Sequence, residues 1–120
     1  MANELTLGIN ATLSNGSLKA VFQPGSVQVD QAAVGAHMPV LSIGTSEETI
    51  SLGDVSTAGY VCLRNLDATN YVELGPDSTG MVAMLKLKAG EVACFRLTSC
   101  TLKAQANTAA VKLQVMIFED

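Results

Sequence analysis

Hydrophobic and polar residues alternate along much of this chain, first where Leu5, Leu7, Ile9, Ala11 and Leu13 are interleaved with Thr6, Gly8, Asn10 and Thr12. A period of two is the mark of a strand with one covered face. Asn15-Gly16 suits the positive φ of a tight hairpin turn, so residues 18–23 are expected to return antiparallel. Pro24-Gly25 should punctuate that strand, with extended structure resuming over 26–30. Residues 31–36 are too short for an independent helix and read as loop. Short strands are then predicted at 40–43 and 49–52, separated by the turn composition Gly44-Thr45-Ser46-Glu47.

The stretch 59–75, GYVCLRNLDATNYVELG, reads as a β-hairpin closed by residues 66–70, because its flanks are rich in β-branched and aromatic residues and its centre carries Asp and Asn. Beyond it Met81, Ala83, Leu85 and Leu87 alternate with residues that include Lys86, and Lys88 follows on the same side. Strands are expected at 92–97 and 102–106. In the final strand, 110–118, Val111, Leu113, Val115 and Ile117 make one face, while Met116 and Phe118 turn the other apolar. About ten short strands with turn signals every eight to twelve residues predict an all-β, antiparallel β-sandwich, jelly-roll-like, as a single domain over 1–120. The expected core includes Leu7, Ile9, Leu63, Leu74, Leu85, Val92, Leu113 and Val115.

Composition sharpens this picture. The 120 residues are 48% hydrophobic but only 15% charged and 4% aromatic, so aliphatic side chains must fill the interior and small polar residues must cover the surface. A net charge of −4, with five lysines and two arginines scattered along the chain, argues against gripping nucleic acid. No apolar run approaches the ~20 residues needed to span a membrane, and the first residues show no basic-then-apolar export signal. Synthesis in the cytoplasm is therefore expected. Cys62, Cys94 and Cys100 lack metal-knuckle spacing and are expected to be buried, reduced thiols, a Cys94–Cys100 bridge being the lesser alternative.

Candidate chemistry is sparse. His37 is the one histidine, which excludes a multi-imidazole metal site and weighs against a Ser-His-Asp hydrolase. Asp54, Asp67 and Asp77 could be calcium ligands but lack an Asp-x-Asn-x-Asp-Gly run, so turn roles are favoured. No cofactor and no enzymatic activity are expected. Arg64 and Arg96 sit inside strands of a charge-poor chain, and Arg64 is a candidate for a subunit contact with a carboxylate such as Glu73. With Met116 and Phe118, these make the candidate interface set Arg64, Glu73, Arg96, Met116 and Phe118.

Residues 59–120 carry, in order, Arg64-Asn65-Leu66-Asp67, Tyr71-Val72, Lys88-Ala89-Gly90-Glu91, Arg96-Leu97, a run from 104 to 111 and an acidic end. This string resembles a group of small virion proteins of tailed phages and prophages. The resemblance implies a non-enzymatic structural component of the virion, made in the bacterial host cytoplasm. A capsid decoration (cement) protein is the leading expectation, with capsid or tail proteins as partners and a homo-oligomer, a trimer by analogy, as the assembly. The alternatives are a neck- or tail-associated protein and a lectin-like carbohydrate-binding module, the latter thinly supported by Tyr60, Tyr71 and three phenylalanines.

Overall fold

The structure, a computed structural model, describes residues 4–120. Among them there is no helix; every element is a strand in an antiparallel sheet. In chain order these are β1 (Leu5–Asn15), β2 (Leu18–Val29), β3 (Ala36–His37), β4 (Val40–Ile43), β5 (Glu48–Thr49), β6 (Ala58–Asn65), β7 (Val72–Pro76), β8 (Leu85–Leu87), β9 (Val92–Arg96), β10 (Leu102–Ala106) and β11 (Val111–Glu119). The chain divides into two compact units, Met1–Ala33 and Val34–Asp120. The sequence pattern carries no composition shift or linker at that point.

The first unit is the hairpin β1–β2. Asn15 pairs with Leu18, which leaves Gly16 and Ser17 as the two-residue loop, with Gly16 at φ 59°. Glycine at the first central position is the demand of a type II′ turn, so the turn sits one residue later than Asn15-Gly16 suggests. The register shifts between Ile9 and Ala11, where Gln23-Pro24 lie opposite Asn10, and the strand continues through this bulge instead of ending at Pro24-Gly25. Cross-strand partners share a face. Leu5, Leu7, Ile9, Ala11 and Leu13 therefore lie with Val29, Val27, Gly25, Phe22 and Ala20 on one apolar face. Only Leu7 of this set is buried; Ile9 and Leu13, expected as covered positions, are exposed, as are Leu18 and Phe22.

The second unit is sandwich-like. One sheet has the order β5-β10-β7-β8; the other runs β3-β11-β6-β9, with β4 also paired to β11. Val61, Leu63, Leu113, Val115 and Ile117 from the five-stranded sheet and Val72, Leu74, Leu87, Leu102 and Ala104 from the four-stranded sheet form one buried cluster. Burying each of the larger aliphatic side chains is worth about 1.5–3 kcal/mol, so this layer dominates the unit's stability. The pairings define the topology, and a jelly-roll order is not needed to describe it. Two core expectations need correction. Val92 is exposed, because β9 turns Ala93 and Phe95 inward and leaves Val92 and Cys94 outside, and Leu85, at the start of the edge strand β8, packs against the core but is only half-buried.

The stretch 59–75 is not a hairpin. Although β6 and β7 are consecutive, β6 pairs with β9 and β11 while β7 pairs with β8 and β10, so residues 66–71 arch from one sheet to the other. Asn65 makes the crossing possible. It is fully buried at the end of β6, its amide donating to the carbonyls of Asn70 and Leu87 and its oxygen accepting from the Asp67 N–H at 2.8 Å. Asp67 in turn accepts from the Thr69 and Asn70 N–H groups, at 3.0 and 2.6 Å. Such satisfaction matters because an unpaired polar group inside the sandwich would cost several kcal/mol.

Candidate functional site: the outer face of the five-stranded sheet

Strand alternation sends Val61, Leu63, Val115 and Ile117 into the core and obliges their neighbours to face outward. Three cross-strand rows result. Val40, Gln114, Arg64 and Val92 form the first, Met116, Cys62 and Cys94 the second, and Tyr60 with Arg96 belongs to the third. Phe118, paired with Ala36, stands at that same end of β11. Val40 and Val92 are 58% and 64% exposed, and Cys94 is exposed beside the half-buried Cys62, Met116 and Phe118. This face is therefore apolar through its middle.

The opposite outer face is a useful contrast. On the four-stranded sheet Gln105, Glu73 and Lys86 form a cross-strand row, and Lys103 lies 3.8 Å from both Glu47 and Asp77. Partly exposed pairs of this kind contribute little to stability but keep a surface wetted. The outer face of the four-stranded sheet is thus charged through its middle, whereas that of the five-stranded sheet is apolar there and carries its charges, Arg64, Arg96 and Lys112, around that centre.

Four of the five candidate interface residues, Arg64, Arg96, Met116 and Phe118, share the apolar face. Glu73 does not join them. It lies on β7 in the other sheet, so a contact between Arg64 and Glu73 would have to be made between chains. Arg96 instead sits 3.6 Å from Asp120 and 5.1 Å from the centre of the Tyr60 ring. Lys86 lies 4.1 Å from the centre of the Tyr71 ring. Both tyrosine faces thus already carry a cation, which weakens them as sugar-stacking platforms.

The remaining polar candidates have local roles. His37 packs its ring against Gly53, whose φ of 60° and lack of a Cβ leave room for it. Asp67 caps the arch, and Asp77 accepts from the Gly80 N–H at 3.0 Å; Asp54 is exposed. Among the described residues no three of His, Cys, Asp and Glu gather to hold a metal ion. Glu119 accepts from both the hydroxyl and the N–H of Ser56, which hold its carboxyl below the usual range.

The cysteines depart from expectation. Cys94 and Cys100 are exposed and Cys62 is half-buried, and the sulfur facing Cys94 belongs to Cys62 at 3.2 Å. Sequence spacing hides this pair because the two cysteines are 32 positions apart; only the β6–β9 register reveals it. Burial, and then the adjoining Cys94 thiol, push the Cys62 thiol up to about 12. No family model, curated protein or solved structure matches the chain.

Proposed function

We propose that this protein is a non-enzymatic assembly protein of a phage particle, a subunit that stabilises a larger shell through protein–protein contacts. The observation that carries this reading is the hairpin β1–β2. Its strands are 11 and 12 residues long, and a two-stranded ribbon is at best marginally stable alone in water. Yet it presents Ile9, Leu13, Leu18, Phe22 and Val27 along one exposed apolar face. Regular alternation of this kind is the pattern of a surface built to be covered, and a neighbouring subunit supplies the cover.

The apolar outer face of the five-stranded sheet adds a second contact surface, rimmed by Arg64 and by the Arg96–Asp120 pair. An apolar centre with a polar rim is the usual anatomy of a protein interface. The phage setting rests on the resemblance over residues 59–120, and capsid decoration with three-fold association is the post we favour within it. The outer faces of a shell demand many identical small clamps, which suits a charge-poor chain of 120 residues.

The test is assembly state and particle binding. Leu13→Asp with Phe22→Asp places two charges on the exposed hairpin face without touching the core of the second unit. Light scattering is expected to show an oligomer for the unaltered protein and a smaller species for the variant. Co-sedimentation with assembled particles should be lost in parallel. A monomer that binds no particle, in both forms, would overturn the proposal.

A further inference from the structure

The pair Cys62 and Cys94 lies where an antiparallel sheet brings side chains closest. The Leu97 N–H donates to the Gly59 carbonyl and the Asn65 N–H to the Glu91 carbonyl, which sets the hydrogen-bonded pairs of β6 and β9 at odd-numbered positions of β6. Cys62 and Cys94, directly opposite one another, are therefore a non-hydrogen-bonded pair, a site type with Cα atoms about 4.5 Å apart. That spacing falls within the range disulfides accept, roughly 4.4–6.8 Å. The two sulfurs are already 3.2 Å apart. A cleft of about 140 Å³, walled by Val92, Gln114, Met116 and Arg64, opens beside them.

We propose that Cys62 and Cys94 are a reactive thiol pair which a small disulfide of the glutathione class oxidises to a cross-strand disulfide, fastening the edge strand β9 to β6. Cys94 is the more exposed sulfur and meets the oxidant first. Its thiolate attacks one sulfur of the oxidised glutathione, the glutathione S–S bond breaks, and one glutathione leaves as a thiolate that takes up the proton Cys94 gave to solvent. Cys62 then loses its proton and attacks the Cys94 sulfur of the mixed disulfide, expelling the second glutathione, which is protonated in turn. Two electrons pass from the protein to glutathione, and two reduced glutathiones are released. Cys62 takes the later, resolving step because it is the less exposed sulfur and already lies 3.2 Å from Cys94, so the attack is intramolecular even though burial holds its thiol protonated. Arg64, exposed on the cleft wall, supplies the positive charge that draws in the glutathione carboxylates.

The product ties the outermost strand of the five-stranded sheet to its neighbour across 32 positions of chain. Constraining the unfolded chain in this way should raise the melting temperature by on the order of 10 °C. The full-length protein, purified reduced, is incubated with oxidised glutathione and followed by thiol titration, peptide mass mapping and thermal melting. Expected are the loss of the Cys62 and Cys94 thiols, a peptide pair joined through Cys62 and Cys94, and a higher melting temperature that dithiothreitol reverses, with Cys100→Ser as the background that removes the third, exposed thiol. Cys62→Ser should stop at a glutathione adduct on Cys94 with no such rise. Three results would overturn the proposal: a stable glutathione adduct on Cys94 or Cys62 of the unaltered protein, a bond from Cys94 to Cys100 or to a second chain, or an equal rise in Cys62→Ser.

Discussion

The side-chain amide of Asn65 donates to the main-chain carbonyl of Asn70 at 2.9 Å and to that of Leu87 at 3.0 Å, so one buried side chain ties the arch to the end of β8. Asn65→Ala would remove both bonds, and with them the one that the Asp67 N–H donates to the Asn65 side-chain oxygen, at a fully buried position. The expected loss is about 3 kcal/mol or more in denaturant unfolding, since each orphaned buried group costs ~1–3 kcal/mol. A loss below about 1 kcal/mol would show that the arch does not depend on this side chain.

Asp67 gives the arch a pH dependence. The N–H groups of Asn70 and then Thr69 hold its carboxyl below the usual range. A group with a depressed folded pKa contributes stability above its unfolded value, near 3.8, and loses it as pH falls through the folded value. Asp67→Asn should therefore lower the melting temperature at neutral pH, and the difference from the unaltered protein should shrink as the solution is acidified below about pH 4. A difference that stays constant across that window would remove Asp67 from the acid response.

Gly75 admits no side chain. A Cβ there would lie 1.8 Å from the Val82 carbonyl oxygen, a main-chain atom held by the Val82 N–H bond to Pro76 at 2.9 Å. Gly75→Ala is expected to cost about 3 kcal/mol, because backbone has to shift to accommodate it. Gly8→Ala, with nothing near the added atom, serves as the mild comparison. Equal melting temperatures for the two variants would contradict this packing.

How far such features were legible in the sequence depends on whether two competing folds leave the same pattern. The strand from Val111 to Ile117 could be read because its inward set is uniformly aliphatic over four alternations. The strand at 92–96 could not, because Val92 and Cys94 are as apolar as Ala93 and Phe95, and alternation does not say which set faces in. The loop at 66–70 has the same composition whether it closes a hairpin or arches between sheets. Asn65 was the available signal: it shares the inward parity of Val61 and Leu63, yet it is polar. The outer face assembled from Arg64, Arg96, Met116 and Phe118 was foreseeable residue by residue, but the Cys62–Cys94 contact required the register. In the hairpin β1–β2 the alternation was clear, but a pattern that asks for cover does not say that the same chain provides it.

Leu113 and Val92 test the corrected register directly. Leu113 is fully buried in β11 between Leu41 and Asn65, whereas Val92 is 64% exposed. Leu113→Ala should cost roughly 2–5 kcal/mol and Val92→Ala under about 0.5 kcal/mol, read as shifts in the urea midpoint. The reverse order would invert the faces assigned to both strands.

The arch at 66–71 also has a kinetic consequence. Because it hands the chain from one layer to the other, β6 must wait for residues 92–96 and 111–119, and β7 must wait for residues 102–106, before either sheet is complete. Long stretches of chain are ordered before those pairings repay the entropy. Refolding should therefore fall among the slow, non-local topologies, in milliseconds to seconds. During that interval the half-built strand edges are open to strands of other copies, so yield on refolding should decline as protein concentration rises.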